Sequence, residues 1–297
     1  MKIFIDGRWF DKDDAKISVF DHGLLYGDGV FEGIRCYGGK IFKLREHTIR
    51  LYNSAKAVYI NVPYAQNELE RFLLESIRIN NIKDGYIRLV VTRGYGDLGL
   101  DPRKCPKATV IIIADQIALF PEEVYDKGIR LITSSLRRTP HDTLSPSIKS
   151  LNYLNNILAR AESIRADAQE AILLNHQGYV TECSGDNIFC IKAGVVMTPP
   201  IHAGILPGIT RATVIELLRT KMKTTVSETM LTLTDLYSSE EVFLTGTGAE
   251  IIGVVEIDRQ RIGDGKPGRL TRQIEDAYNQ LTQISGANAY DKNPCVA

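Results

Sequence analysis

Apolar and polar positions along the chain follow two spacings. Runs rich in β-branched and aromatic residues at 2–5, 29–36, 86–92 and 109–114 predict strands. A further short strand at 40–43 is joined to 29–36 by Tyr37-Gly38-Gly39, a hairpin signal. Between these lie two stretches with helical spacing. Ile49, Leu51, Tyr52, Ala55 and Val58 mark a helix over 45–59, and Leu69, Phe72, Leu73 and Ile77 mark one over 67–79.

A polar segment with Pro121 and Gly128 as breakers follows at 119–128 and reads as a connection. Beyond it, 129–135 predicts a strand and 151–166 a helix. Short strands follow at 171–174, 179–181, 187–191 and 194–197. Pro207-Gly208 opens a helical stretch to 222, where a proline suits the first turn because its missing N–H had no partner there. Strands at 242–245 and 251–257 and a helix at 270–284 close the chain. The class is α/β: a small α+β domain over 1–118, a loop over 119–128 and a larger mixed α/β domain over 129–297.

Composition narrows the field. Hydrophobic residues are 44% and charged residues 24%, enough apolar material for sizeable cores. Thirty-six basic residues balance thirty-six acidic ones, which argues against binding nucleic acid through bulk charge. The longest apolar run, from Ala108, is cut by Asp115, far short of the ~20 residues a membrane span needs. Asp6 interrupts the start before a signal-peptide core can form. The expectation is a cytoplasmic protein whose five cysteines (36, 105, 183, 190 and 295) are reduced and serve as small apolar residues. The histidines show no ligand spacing, and no metal is expected.

Several segments carry candidate chemistry. Gly94-Tyr-Gly96-Asp-Leu-Gly99 fits the dinucleotide fingerprint, but Pro102 and Pro106 forbid the helix that would have to hold a pyrophosphate. Leu206-Pro-Gly-Ile-Thr210-Arg feeds a helix N-terminus and suits an anion. Thr245-Gly-Thr247-Gly-Ala allows close backbone approach. Lys149 sits in Ser147-Ile-Lys149-Ser-Leu-Asn152-Tyr153, and Glu182 stands at a strand end before Cys-Ser184-Gly-Asp-Asn187.

Together these segments resemble the class IV, pyridoxal-phosphate-dependent aminotransferases. Glu182 with Ser184, Asn187 and Ile188-Phe189 is similar to the family signature. Lys149-x-x-Asn152-Tyr153 matches the segment of its Schiff-base lysine, and His47-x-x-Arg50-Leu matches its phosphate arginine. The two loops match its phosphate loops, and the resemblance runs from Met1 to the closing helix. Tyr26-Gly-Asp-Gly-Val-Phe31-Glu-Gly33-Ile-Arg35 and Tyr86-Ile-Arg88 resemble the branched-chain amino-acid aminotransferases in particular. The second loop departs from that subfamily, with Gly248 where alanine is common.

The resemblance implies a fold-type IV enzyme, D-amino-acid aminotransferase-like, with pyridoxal 5'-phosphate as cofactor. It implies Lys149 as covalent anchor and proton carrier, and Glu182 facing the pyridine nitrogen. Tyr153 would meet the phenolic oxygen, and Leu206 would pack on the ring. Arg50, the Ile209 and Thr210 amides and Thr247 would hold the phosphate. Tyr86 and the Gly248 and Ala249 amides would take the α-carboxylate. Phe31 and Gly33 would line the apolar pocket, and Arg88 and Tyr26 would take glutamate's distal carboxylate. The loop over 94–101 would close the site from a neighbouring subunit, making a homodimer the minimum unit of a homo-oligomer. The expected activity is transamination between Leu, Ile or Val and 2-oxoglutarate, in branched-chain amino-acid biosynthesis. The alternative is a D-amino-acid aminotransferase, or a member of mixed specificity that accepts primary amines. A non-catalytic cofactor carrier conflicts with an intact Lys149 and Glu182. Neither nucleic acid nor membrane is an expected partner.

Overall fold

The computed structural model describes residues 1–116 and 121–291, and the chain packs as two units. Met1–Ile117, Ile148–Asn152 and Thr282–Ala297 form the first, and Ala118–Ser147 with Tyr153–Leu281 form the second. Residues 119–120, part of the expected connection, lie outside the described residues, as does Cys295.

The first unit is a seven-stranded sheet covered by helices. Its strands are β1 (Lys2–Ile5), β2 (Arg8–Asp11), β3 (Gly29–Tyr37), β4 (Lys40–Ile41), β5 (Gly85–Thr92) and β6 (Thr109–Asp115), with a short strand Ala287–Asn288 on the edge of β4. The order is Ala287–Asn288, β4, β3, β5, β6, β1, β2, and every pairing is antiparallel. The turn after β3 needs its two glycines, because Gly38 and Gly39 take φ of 54° and 80°. Helices α1 (His22–Tyr26), α2 (Leu44–Ala57) and α3 (Gln66–Ile79) belong here. On α3, Leu69, Leu73, Leu74 and Ile77 form one fully buried stripe against the sheet. Neither α1 nor β2 is apparent from periodicity, since each is four or five residues long.

Strand β3 is buried along its length, so both faces matter. Val30, Ile34 and Cys36 join the core beside Ile87, Leu89 and Val91 of β5. Glu32 shares that face and is fully buried. Its carboxylate accepts from His47 Nδ1 at 2.8 Å and from Arg50 Nε and Nη2 at 2.8 and 2.7 Å. Both partners come from α2, so a buried ion pair fixes that helix to the sheet.

The second unit is a nine-stranded mixed sheet. Its strands are β7 (Ile129–Arg137), β8 (Glu170–Leu174), β9 (Val180–Cys183), β10 (Asn187–Lys192), β11 (Val195–Thr198), β12 (Val226–Glu228), β13 (Glu241–Gly246), β14 (Glu250–Ile257) and β15 (Gln260–Arg261). The order is β12-β11-β10-β13-β14-β7-β8-β9, with β15 on β14. The pairs β11–β12, β14–β7 and β7–β8 are parallel, which requires the crossovers that helices provide. The helices are α4 (Glu122–Lys127), α5 (His141–Leu144), α6 (Leu154–Arg165), α7 (Ile209–Thr220), α8 (Leu233–Tyr237) and α9 (Arg269–Ile284). Part of the segment expected as a connection is thus the helical turn α4, closed by Gly128 at φ 74°. Pro207 precedes the N-cap Gly208 and is not itself in the helix.

The ion pair inside the first unit predicts a specific acid sensitivity. Burial alone would raise the Glu32 carboxyl, but Arg50 and His47 outweigh it and hold it at about 2, against a usual 4.5. Its stabilising effect is therefore complete above about pH 4.5 and is lost as pH falls towards 2. That displacement is equivalent to about 3 kcal/mol. His47, kept below its usual 6.5 chiefly by burial, acts in the same direction from about pH 6.5 downward. Urea unfolding across this range should show a steep loss of stability that is markedly flatter below pH 4.5 in Glu32→Gln. Identical slopes in the two proteins would contradict this account.

Candidate active site

In the first unit the site begins where Lys149 is docked. The Lys149 carbonyl accepts from Phe31 N at 2.9 Å, and Leu151 N donates to the Gly29 carbonyl at 2.9 Å. A bridge between Val30 and Ser150 lies between these bonds. Here β3 is paired with β5 on one side only, because β4 meets it only at Cys36 and Tyr37. The lysine segment fills that open edge, and Ser54 Oγ of α2 accepts from Lys149 N at 3.1 Å.

Phe31, Gly33, Tyr86 and Arg88 share the other face of the β3–β5 pair, since Gly33 stands opposite Arg88 in register. The Lys149 ammonium and the Arg88 guanidinium each lie 4.6 Å from the centre of the Phe31 ring. Arg88 is also 5.4 Å from the Tyr86 ring centre. A Cβ on Gly33 would fall 1.8 Å from the Tyr86 hydroxyl, so any larger residue there would displace the Tyr86 ring. Five of the expected site residues are thus brought together. Tyr26 is committed elsewhere: its hydroxyl donates to the Leu98 carbonyl at 2.5 Å. His22 Nε2 donates to the Asp97 carbonyl at 2.7 Å, so α1 holds the 94–101 loop at two points. A three-residue 3-10 turn, Pro102–Lys104, follows that loop, leaving no helix dipole to hold a pyrophosphate.

In the second unit Glu182 is buried at the end of β9. One carboxylate oxygen accepts from Arg138 Nε at 2.9 Å. The other accepts from Asn187 Nδ2 at 3.2 Å and from Leu206 N at 2.9 Å. Arg138 is itself held through Nη1 by Asn155 Oδ1 and Asn156 Oδ1 at 3.2 and 3.3 Å. Glu170 accepts from Ser184 Oγ at 2.5 Å and Gly185 N at 3.1 Å, which fixes the turn after Glu182.

The two anion loops border Asn187. A Cβ on Gly208 would sit 2.0 Å from Asn187 Oδ1, and Thr245 is its register partner in β13. Helix α7 begins at Ile209 with Gly208 as N-cap, so no side chain caps its first turn. Thr210 is buried in that turn. Thr245 Oγ1 is buried with no hydrogen-bond partner among the described residues. A Cβ on Gly246 would lie 1.8 Å from Asp186 Oδ1, which keeps this backbone bare. Uncapped amides at a helix N-terminus beside an orphaned hydroxyl are a suitable donor set for a phosphate ester. Thr247, Gly248 and Ala249 form the turn between β13 and β14. Tyr153 is the N-cap of α6.

Three residues of these networks had no role assigned from the sequence. Glu32 and Asn187 stood inside recognised motifs, but periodicity cannot tell a buried acid from a surface one. Arg138 had no signal beyond its neighbour Arg137 and the Thr139-Pro140 that follows. Cys36, Cys183 and Cys190 are buried thiols, and Cys105 is partly exposed. Among the described residues no cluster of His, Cys, Asp and Glu could hold a metal, and no helix is long and apolar enough to cross a membrane.

Comparison with known proteins identifies the family of the chain. The family model for amino-transferase class IV matches residues 29–257. A Methanocaldococcus jannaschii protein that carries a provisional name as a branched-chain-amino-acid aminotransferase is 50% identical over 98% of this chain and 100% of its own. The solved branched-chain amino acid aminotransferase of Escherichia coli is 36% identical, with a TM-score of 0.92 over 95% of this chain and 94% of that one. The Thermobaculum terrenum enzyme of the same name, solved in its pyridoxal-phosphate form, is 30% identical with a TM-score of 0.86, again over 95% and 94%. The chain belongs to the class IV aminotransferases, enzymes that work with pyridoxal 5'-phosphate.

Proposed function

We propose that this protein moves the amino group between branched-chain L-amino acids and 2-oxoglutarate. The observation that carries the reading is the Phe31 ring with the Lys149 ammonium and the Arg88 guanidinium each 4.6 Å from its centre. It sets an amine, an apolar surface and a fixed cation on one face of one sheet. Bound pyridoxal phosphate supplies the sink for the electrons left when a substrate α-proton departs.

Lys149 anchors the cofactor and carries the proton to and from the substrate α-carbon. Its backbone is held by Phe31 N and Ser54 Oγ, which limits the arc its side chain can sweep. Glu182 would face the pyridine nitrogen, its carboxylate held in place by Arg138, Asn187 and Leu206 N. By the family resemblance, Arg50, the Ile209 and Thr210 amides and Thr247 would take the phosphate. Tyr153 would bond the phenolic oxygen and Leu206 would pack on the ring.

The substrate pocket has to accept leucine and glutamate in turn. Arg88 suits both. Its guanidinium plane, resting against Phe31 and Tyr86, extends an apolar wall for leucine, and its edge donates to a distal carboxylate. Gly33 leaves the room that the Tyr86 hydroxyl occupies. Tyr86 with the Gly248 and Ala249 amides would take the α-carboxylate and Arg88 the distal one; Tyr26 would join Arg88 only by giving up its hydroxyl's bond to the Leu98 carbonyl. Val19, Leu24, Tyr95, Leu98 and Leu100 are exposed apolar residues on and around α1 and its loop, which supports a homodimer closed by that loop. The four cysteines among the described residues are free thiols, which fits a cytoplasmic setting.

An activity panel of L-leucine, L-isoleucine, L-valine and D-alanine against 2-oxoglutarate tests the substrate class, and turnover of D-alanine alone would refute it. Lys149→Ala should abolish both turnover and the covalent, borohydride-fixable link to the cofactor. Persistence of that link would place the anchor on another lysine. Glu182→Gln should retain cofactor yet turn over far more slowly, because an amide keeps the ring nitrogen protonated poorly; unchanged turnover would free Glu182 from this role. Arg88→Leu should slow the glutamate half-reaction by about 10- to 150-fold, from loss of a charge-assisted hydrogen bond of about 1.5–3 kcal/mol. The leucine half-reaction should change little, and equal losses in single-turnover assays would rule out the assignment.

A further inference from the structure

Arg50 leans on an acid rather than standing alone. The Glu32 carboxylate lies 2.7–2.8 Å from two of its nitrogens and 2.8 Å from His47 Nδ1, with no exposed surface on the acid. If Arg50 served a phosphate by charge alone, a carboxylate in direct contact with it would be a defect, since the pair is neutral and the carboxylate repels a dianion. What the acid adds is geometry. Arginine side chains carry considerable rotamer entropy, and a two-pronged carboxylate removes that freedom before any ligand arrives. His47 stands three residues before Arg50 on α2, so the same acid holds adjacent positions of one helix face.

We propose that Glu32 is a positioning residue for the cofactor phosphate: it fixes the Arg50 guanidinium in advance, so that affinity for the phosphate depends on a carboxylate that does not touch it. This rests on the assignment of Arg50 to the phosphate. The role follows from the strand's two faces. Phe31 and Gly33 point to the substrate side of β3, and Glu32, between them, points to α2.

The test uses full-length apoprotein titrated with pyridoxal phosphate and with pyridoxal, which lacks the phosphate. The readout is the preference for the first over the second. In Glu32→Gln and Glu32→Asp the preference should fall by about 10- to 100-fold, the scale of losing charged hydrogen bonds. Pyridoxal itself should bind within about threefold of the parent. Glu32→Asp keeps the charge but is one methylene too short for the fork, so it separates geometry from charge and decides the matter should Glu32→Gln not fold. A preference that is unchanged or raised in Glu32→Gln, or retained in Glu32→Asp, would overturn the proposal. Equal weakening of both ligands would also overturn it, as general damage to the fold. Arg50→Lys is the control. If it leaves the preference intact, the Arg50 assignment itself falls; if it lowers the preference while the Glu32 variants do not, only the role of Glu32 is lost.

Discussion

Successive residues of a strand point to opposite faces, and in β3 both faces are covered. One set, Val30, Ile34 and Cys36, builds the core with β5 and the helices. The other set, Phe31 and Gly33, meets Lys149, Tyr86 and Arg88. Glu32 is the exception on the core side, a charge among apolar neighbours, and α2 supplies its partners. A shift of one residue in this register would put Glu32 beside Phe31's neighbours and bury the pocket residues in the core. The nine residues of β3 therefore fix the position of the lysine segment, the substrate wall and α2 together.

The second unit solves a similar problem differently. Glu182 is buried, and donors reach its side chain from three other segments. Arg138 after β7, Asn187 on β10 and Leu206 N before α7 supply them, with Asn155 and Asn156 steadying Arg138. Glu170, nearby in sequence, has hydroxyl and amide donors, and burial pushes its carboxyl upward. Asn187 joins the carboxylate network to the anion loops, because its amide contacts Glu182 and the Leu206 carbonyl while its oxygen limits Gly208.

Long apolar patterns were readable from the chain. The stripe on α3 and the runs in β3, β5 and β6 needed only local sequence, and they lie within two residues of the expected bounds. Short elements were not readable. The five residues of α8 carry a reciprocal cap between Thr232 and Asp235, a signal too common to stand out without a periodic run behind it. The return of Ile148–Asn152 to the first unit was also hidden, since it depends on backbone pairing with β3 some 120 residues earlier, and backbone pairing leaves no trace in residue type. Motifs located Lys149, Arg50 and Glu182, but not what holds them. Arg138 and Glu32 are recognisable only once the fold places each against its partner.

Both ion pairs bear on what such contacts are for. Removing two charges from water costs several kcal/mol, and their attraction inside the protein often no more than balances it. Stability therefore gives little reason to keep Glu32 with Arg50 or Glu182 with Arg138, and apolar residues of similar size could fill the same space. Such a replacement could not hold a guanidinium or a carboxylate at one angle. In each unit one member of the pair is the residue proposed to meet an anion or a ring nitrogen, and in each the hydrogen bonds come as a fork or a cluster rather than singly. The buried charge is best understood as a means of orientation: ionising Glu32 stabilises the fold relative to its own protonated form, but an apolar replacement would serve stability as well.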